Sequence, residues 1–168
     1  MIYGADNSDA AILVNGQTLT IGCENESDLQ ITGGSSSNFA SAITIWDGKL
    51  VINNGTFISG TDESGNNSPA IYLMPMDQYD TAELEINGGV FHPAQDGGSA
   101  KFLINCSDPD ISRCKITITG GMFIGFNPAA SSADTIDDKP ANWVADGYES
   151  VGTTDEDGNT IWAVRKKN

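Results

Sequence analysis

Several ionisable side chains in this sequence are of the types that cleave polysaccharides. A hydrolase needs two carboxylates several ångströms apart on one face, and a lyase needs a positioned base. The candidates are Asp137, Asp138, His92, Lys101 and Lys115. Adjacent residues of an extended strand point to opposite faces, so Asp137 and Asp138 cannot serve one site there. Surface or turn roles are the expectation for all five, and we predict no catalytic residue and no enzyme.

Two clusters carry the oxygen ligands that calcium prefers. They consist of Asp155, Asp157 and Asn159, and of Asp134, Asp137 and Asp138. The first cluster has Thr160 where an EF-hand loop requires Gly, and it lacks the distal Glu. Hairpin turns select Asp, Gly and Asn for their backbone conformations alone. We therefore predict no metal site and no cofactor.

Exposed aromatic rings offer a third chemistry, because sugar rings pack on flat aromatic faces. The available side chains are Trp46, Tyr72, Tyr79, Trp143, Tyr148 and Trp162. Trp143, Tyr148 and Trp162 are expected to pack together near the C-terminus. Trp46 and Tyr79 are the predicted glycan-binding residues, and ordinary packing is the alternative for each.

A repeated strand-turn-strand motif is expected to position these side chains. It occurs at residues 50–57 (LVINNGTF), 84–91 (LEINGGVF) and 116–123 (ITITGGMF), with a blurred copy at 29–34 (LQITGG). Each full copy alternates apolar residues, reaches a tight Gly turn and resumes with an aromatic residue. Such recurrence is typical of a stacked solenoid.

A second repeated motif, which is apolar, alternates with the first along the chain. Its four copies are centred on Ile12, Ile43, Ile71 and Leu103. The spacings between these residues are 31, 28 and 32. The polar segments between phrases vary in length, which a solenoid tolerates because insertions leave the coil radially. The pattern predicts an all-β fold, a right-handed parallel β-helix of about four coils.

The repeat also predicts which residues stack. Alternate residues of a strand point inward, so two apolar columns and one aromatic column are expected. They are Leu50, Leu84 and Ile116; Ile52, Ile86 and Ile118; and Phe57, Phe91 and Phe123. The turn favours Gly or Asn because one of its residues takes positive φ, and Asn53 and Asn87 are placed to form an amide ladder.

The period ends after Phe126. A small and polar stretch at 129–140 is expected to be a loop, and residues 149–151 and 160–164 predict a hairpin around a turn at 155–159. We assign coils to residues 1–126 and a C-terminal loop with a capping hairpin to 127–168, within one structural domain. The cap would cover the strand edge of the last coil, which could otherwise pair with other molecules and aggregate. The N-terminal coil has no obvious cap.

The G-G-x-F phrases at 88–91 and 120–123, the FNP at 126–128 and the WVADGY at 143–148 carry a resemblance. They resemble the pectate-lyase-like β-helical repeats of gut-bacterial surface proteins and of phage fibre or appendage proteins, over residues 29–164. The resemblance implies a non-enzymatic structural or adhesive module on a virion or a cell surface, with a trimeric homo-oligomer and a glycan as partners. The alternative that it implies is a polysaccharide lyase or glycoside hydrolase of β-helix fold.

The formal net charge is −15, and no Lys or Arg occurs before Lys49, so the surface is strongly acidic. Such a surface repels phosphate backbones and anionic membranes, so nucleic acid is not an expected partner. No run of about 20 apolar residues predicts membrane insertion. The first ten residues lack a signal peptide, so we expect a protein that acts where it is made, or a mature form or fragment.

Three cysteines are too few for a disulfide scaffold, and their odd number leaves one thiol without an intrachain partner. Cys106 and Cys114 flank a turn-like segment. They are either bridged across it or are small buried residues of the solenoid wall.

Overall fold

The computed structural model describes residues 1–5, 10–25, 29–36, 40–94, 103–106, 110–136 and 139–168, without the side chains of 110 and 132–136. The strands are numbered β1 to β19 in chain order, and a 3₁₀ helix spans Asp110–Arg113. Within these ranges no helix has the length and apolar character needed to cross a bilayer.

Three walls of stacked parallel strands build a β-solenoid of about 3 turns. The first wall contains β2 (Ala10–Val14), β6 (Ser41–Ile45), β10 (Ile71–Leu73) and β13 (Ile104–Cys106). The second wall contains β3 (Gln17–Ile21), β7 (Gly48–Ile52), β11 (Ala82–Ile86) and β14 (Cys114–Ile118). The third wall contains β1 (Ile2–Tyr3), β4 (Gln30–Thr32), β8 (Thr56–Ile58), β12 (Val90–His92) and β15 (Met122–Ile124). The chain visits the walls in this order, so that four rungs stack over about 3 turns, and the predicted solenoid is confirmed.

Two short pairs and a hairpin complete the fold. β5 (Ser35–Ser36) pairs with β9 (Thr61–Asp62), and β16 (Ser131–Ile136) pairs antiparallel with β17 (Lys139–Ala141). The prediction of a loop at 129–140 is therefore wrong. Pro140 lies in a strand of a two-stranded pair, where its missing N–H is tolerated because an edge strand need not donate on both sides.

The inward columns of the second wall agree with the prediction. Leu84 is in register with Leu50 and Ile116, and Ile86 is in register with Ile52 and Ile118. All of these side chains are buried. A register slip of one residue would turn every one of them to the outer face, so burial fixes the register.

The aromatic column of the third wall is also confirmed. The ring centroids of Phe57 and Phe91 lie 5.0 Å apart, those of Phe91 and Phe123 lie 4.8 Å apart, and the planes are nearly parallel. Ile31 precedes the column on the first rung, and Phe126 packs against its last ring at a tilt. The spacing of the rings equals the spacing of the strands, so each ring is carried by its own rung.

Glycine makes the turn that enters each Phe. Gly55, Gly89 and Gly121 have φ values of 118°, 104° and 106°, a region that a Cβ disfavours. A Cβ on Gly89 would lie 3.0 Å from the Gly55 carbonyl oxygen and 3.4 Å from the Phe57 ring. The turn therefore needs glycine for its backbone conformation and for its space.

The predicted amide ladder runs beside this turn. The Asn87 Nδ2 donates to Asn53 Oδ1 at 3.1 Å, and the Thr119 hydroxyl donates to Asn87 Oδ1 at 2.7 Å. Three successive rungs are thus linked by side-chain hydrogen bonds at one corner.

One predicted register is wrong. Ile71 pairs with Ile104 and not with Leu103, while its pairing with Ile43 is as expected. Alternation explains the difference, because Ile104 and Cys106 are buried in the column and Asn105 lies between them facing outward. Leu103 is also buried, but it precedes the strand.

The C-terminal hairpin forms as predicted, from β18 (Tyr148–Thr154) and β19 (Thr160–Lys166). β19 pairs antiparallel with β15, so it covers the last edge of the third wall. Val144 bridges to Ile118 on the second wall, and Trp143 is buried in the core. At the other end, no described strand pairs with the outer edges of β2 and β3.

None of the three cysteines forms a disulfide, so the Cys106–Cys114 bridge is absent. Cys106 lies in the inward column of the first wall opposite Leu73, whereas Cys114 opens the second wall opposite Ala82. They belong to two different walls of the solenoid, and the alternative of a small buried wall residue holds for Cys106, whereas Cys114 is half-buried.

Replacing Gly89 with Val should lower the free energy of unfolding by about 2 kcal/mol or more, because a β-branched side chain would be forced to positive φ. Replacing Glu85 with Val removes an outward side chain with its part-exposed ion pair to Lys49, and it should change stability much less. Thermal melts followed by circular dichroism compare the two variants. Equal melting temperatures, or a lower one for Glu85→Val, would contradict the turn assignment.

Candidate functional site

The two predicted glycan-binding residues lie at one corner of the solenoid, in connections between the first and second walls. The connections there are short on the first two rungs, at 15–16 and 46–47, and longer on the third, at 74–81. Trp46 lies on the second rung and Tyr79 on the third. The Trp46 N–H donates to the Val14 carbonyl at 2.9 Å, which holds its backbone against the first rung.

Hydrogen bonds tie the rungs of this corner. The Gly16 N–H donates to the Asp47 carbonyl at 3.0 Å, and the Thr81 N–H donates to Asp47 Oδ1 at 3.1 Å. The Gly48 N–H donates to the Thr81 carbonyl at 2.9 Å. Asp47 thus joins all three rungs and holds the Thr81 end of the 74–81 loop, while the Met74 N–H donates to the Ile45 carbonyl at the other end.

The 74–81 loop presents its apolar side chains to solvent. Tyr79 is 87% exposed and Met76 is 57% exposed, whereas Trp46 is half-buried. The Asp77 N–H donates to Asp80 Oδ2 at 2.8 Å, and the Arg113 guanidinium of the fourth rung donates to the carbonyls of Asp77 and Pro75. These contacts fix the loop that carries Tyr79, so its ring is displayed from an ordered backbone.

A groove of about 400 Å³ lies beside the corner on the outer face of the second wall. It is lined by Gly16, Gln17, Thr18, Gly48, Lys49, Thr81 and Glu83. Trp46 and Tyr79 are each two residues from a lining residue, Gly48 and Thr81 respectively. The groove offers an amide, hydroxyls, an ammonium and a carboxylate, which are suited to hydrogen bonding with saccharide hydroxyls. We call this groove the corner groove; Trp46 and Tyr79 lie in the adjoining connections and are not among its lining residues.

Ion pairs cover the outer face of the second wall next to the corner groove. Lys49 Nζ lies 2.7 Å from Glu85 Oε2, and Lys115 Nζ lies 3.8 Å from Glu83 Oε2. Hydrogen bonds from Lys49 and from Asn87 hold the pKa of Glu85 below its ordinary value of 4.5. The same pair raises the pKa of Lys49 above 10.5. Glu85 is therefore an anion at neutral pH.

Glu83 and Glu85 are a pair of carboxylates that the search for catalytic residues in the sequence missed. They share one face because Leu84 and Ile86 alternate with them and point inward. The spacing of the two glutamates in the sequence could have revealed this pair, because residues two apart on a strand lie on the same side about 6.6 Å apart. Glu83 forms a salt bridge with Lys115 and Glu85 forms one with Lys49, so both carboxylates have a structural role in ion pairs.

The catalytic candidates proposed from the sequence are not brought together. His92 lies on the third wall, with Nδ1 3.2 Å from the Pro93 carbonyl oxygen, and Lys115 lies on the second wall beside Glu83. Asp137, Asp138 and Lys101 lie outside the described residues. The two candidates that the structure places therefore face different sides of the solenoid.

The Asp155 cluster has the geometry of a hairpin turn. The Asp155 carboxylate accepts hydrogen bonds from the Asp157 N–H at 3.1 Å, the Asn159 N–H at 2.7 Å and the Asn159 Nδ2 at 3.1 Å. These donors lower the pKa of Asp155, the Asn159 side chain first. The second cluster, with Asp134, lies outside the described side chains. Among the described residues, no group of three or more His, Cys, Asp or Glu side chains is placed to hold a metal.

The outer face of the third wall differs from that of the second because it carries no charge. Its outward residues alternate with the buried Ile31 and Phe column and continue onto the hairpin through β19 and β18. They are Gln30, Thr32, Thr56, Ile58, Val90, His92, Met122, Ile124, Ile161, Ala163, Val151 and Thr153. None is Asp, Glu, Lys or Arg, although Arg165 and Glu149 follow on the same face of the hairpin. We call this surface the uncharged face.

Comparison with known proteins gives no match to a family model, a curated protein or a solved structure. The function is therefore argued from the geometry of the corner groove and of the outer faces.

The Asp155 turn predicts a pH dependence. A depressed pKa in the folded state stabilises the fold above the unfolded value, 3.8, and this contribution is lost as pH falls through the folded value. Asp155→Asn should therefore melt below the wild type at neutral pH, because the amide offers one acceptor oxygen instead of two. The difference should shrink as pH falls from 3.8 through the lower folded pKa, below which both side chains are neutral.

Thermal unfolding followed by Trp fluorescence across this pH range measures the difference. Asp157→Asn is the matched control, since Asp157 is in the same turn but contributes its backbone N–H. A difference between Asp155→Asn and wild type that stays constant with pH would refute the assignment.

Proposed function

We propose that the protein is a non-enzymatic structural and adhesive β-solenoid that binds a saccharide in the corner groove. The observation that carries the proposal is the placement of Trp46 and Tyr79 on adjacent rungs of one corner, beside a polar groove. Stacked rungs supply a rigid support, and aromatic rings at its edge supply flat apolar faces for sugar rings.

The chemistry of the groove favours a neutral saccharide. Gln17, Thr18 and Thr81 can exchange hydrogen bonds with hydroxyl groups, and Lys49 and Glu83 offer one charge of each sign. A chain with net charge −15 repels a polyanion over a distance of about a Debye length, 8 Å at physiological salt. A neutral glycan avoids this repulsion and can still use the aromatic faces.

Location and assembly belong to the same proposal. An acidic, polar surface is compatible with exposure on a virion or a cell surface. Among the described strands, none pairs with the outer edges of β2 and β3, which supports incorporation into a larger assembly that the resemblance to fibre proteins suggests is trimeric. Neither nucleic acid nor a membrane interior is part of this proposal.

A second candidate function, glycoside hydrolysis, is favoured by the shared face of Glu83 and Glu85. A separation of about 6.6 Å along the strand is near the range that inverting hydrolases use between their carboxyl groups. A general acid needs a raised pKa, however, and the pKa of Glu85 is lowered by Lys49 and Asn87. We therefore rank hydrolysis below binding.

Binding to a panel of neutral and acidic glycans tests the leading proposal. Trp46→Ala and Tyr79→Ala should each raise the dissociation constant about tenfold, because each removes an aromatic face worth roughly 1 kcal/mol or more. Tyr3→Ala is the matched control, since Tyr3 is 63% exposed but lies on the third wall. Equal affinity of all three variants, or no glycan bound by wild type, would refute the corner groove.

Incubation of the protein with polysaccharides tests the second candidate. We expect no reducing ends and no unsaturated products. Cleavage that disappears in Glu83→Gln or Glu85→Gln and persists in Glu149→Gln would overturn the non-enzymatic proposal. Glu149 is the matched control because it is an outward carboxylate paired with Arg165 on the hairpin, away from the groove.

A further inference from the structure

The corner groove is built from three successive rungs in register. One column of its lining consists of outward residues, in which Thr18 on β3 pairs with Lys49 on β7, and Lys49 pairs with Glu83 on β11. Gln17 and Gly48 are paired one position earlier and line the groove beside this column. The first three rungs therefore present lining atoms at the same position along their strands.

The groove is longer along the stack than across it. Three rungs span about 10 Å between the outermost strands, whereas the lining residues 16–18 of the first rung cover about 6.6 Å along the chain. The volume of about 400 Å³ is at the small end of the range for ligand sites, roughly 300–1,000 Å³. These dimensions suit a narrow, extended ligand better than a branched one.

The two ends of the groove differ. At the first rung, no described strand pairs with the outer edge of β3, so a bound chain can continue past Thr18. At the fourth rung, Lys115 follows Glu83 in the column, but it pairs with that carboxylate at 3.8 Å and does not line the groove. The lining therefore begins at the edge of the described stack and stops at the third rung.

We propose that the corner groove binds a linear, extended, neutral saccharide along the solenoid axis, with one sugar ring on each of three rungs. This inference rests on the proposed function and names the class of saccharide. The spacing of the rungs, about 4.8 Å, is close to the length of one ring in an extended sugar chain. Successive rings then meet Thr18, Lys49 and Glu83, whose polar groups can all exchange hydrogen bonds with hydroxyls.

The second and third of these subsites are positioned before a ligand arrives. Lys49 Nζ lies 2.7 Å from Glu85 Oε2, and Glu83 is held by Lys115. Side chains that are already ordered lose less entropy on binding. The remaining N–H groups and lone pairs of these ions are available to hydroxyls. Thr18 contributes one exposed hydroxyl, so a single substitution removes the first subsite without disturbing an ion pair.

The test is calorimetric titration of the protein with linear β-1,4-linked oligosaccharides of glucose, mannose and xylose that contain one to six rings. Affinity should rise with each ring up to three and then level off. Oligosaccharides of α-1,4-linked glucose are the matched control, because they have the same ring but a coiled chain, and they should gain less from added rings. Equal affinity for one ring and for three, or for coiled and extended chains, would overturn the inference while leaving saccharide binding in place.

Substitution of Thr18 tests the assignment of the subsites. Thr18→Ala should weaken the binding of three rings roughly fivefold, the worth of one hydrogen bond, and leave the binding of two rings unchanged. Thr20→Ala is the matched control, since Thr20 is exposed on the same strand and face but does not line the groove. It should leave both affinities unchanged.

Two results with these variants would contradict the axial arrangement. One is an equal loss of affinity for two and for three rings in Thr18→Ala, and the other is a loss in Thr20→Ala as large as that in Thr18→Ala. Melting temperatures close to that of wild type show that the measured effect is on binding. Failure of wild type to bind any oligosaccharide, extended or coiled, would overturn the proposed function together with this inference.

Discussion

The structure depends on one constraint, the in-register stacking of parallel rungs. Because side chains alternate along each strand, the register decides which residues form the core and which form the surface. The Phe57, Phe91 and Phe123 rings, the Leu and Ile columns and the Asn53–Asn87–Thr119 ladder all require the same register. The positive-φ glycines keep it, since they allow each chain turn to lie directly on the previous one.

The same stacking gives each wall a distinct outer surface. On the second wall it places Lys49 beside Glu85 and Glu83 beside Lys115, which neutralises part of the acidic surface locally. On the third wall it aligns neutral residues into continuous columns. At the corner between the first and second walls it brings Trp46 next to the loop of Tyr79, although 33 residues separate them in the chain.

Much of the fold could be predicted because its signals are local and repeated. The apolar alternation and the Gly turn identified the columns of the second and third walls, and the Asp155–Asn159 turn identified the hairpin. The Ile104 register could not be read from a spacing count, because the length of the polar segment before it varies between coils. The β16 and β17 strands were missed because residues 129–140 are small and polar, without an apolar alternation. Of the site, the aromatic residues and the outward glutamates are visible in the sequence, but their grouping follows only from the stacking of rungs.

The most direct test of this account is a set of nuclear Overhauser effects between phenylalanine rings, measured with selective isotope labelling. Stacking at 5.0 Å and 4.8 Å predicts cross-peaks from Phe91 to both Phe57 and Phe123. Phe57 and Phe123 are two rungs apart, about 9.6 Å, so no direct cross-peak should join them. Absence of both Phe91 cross-peaks, or a direct contact between Phe57 and Phe123, would contradict the in-register solenoid.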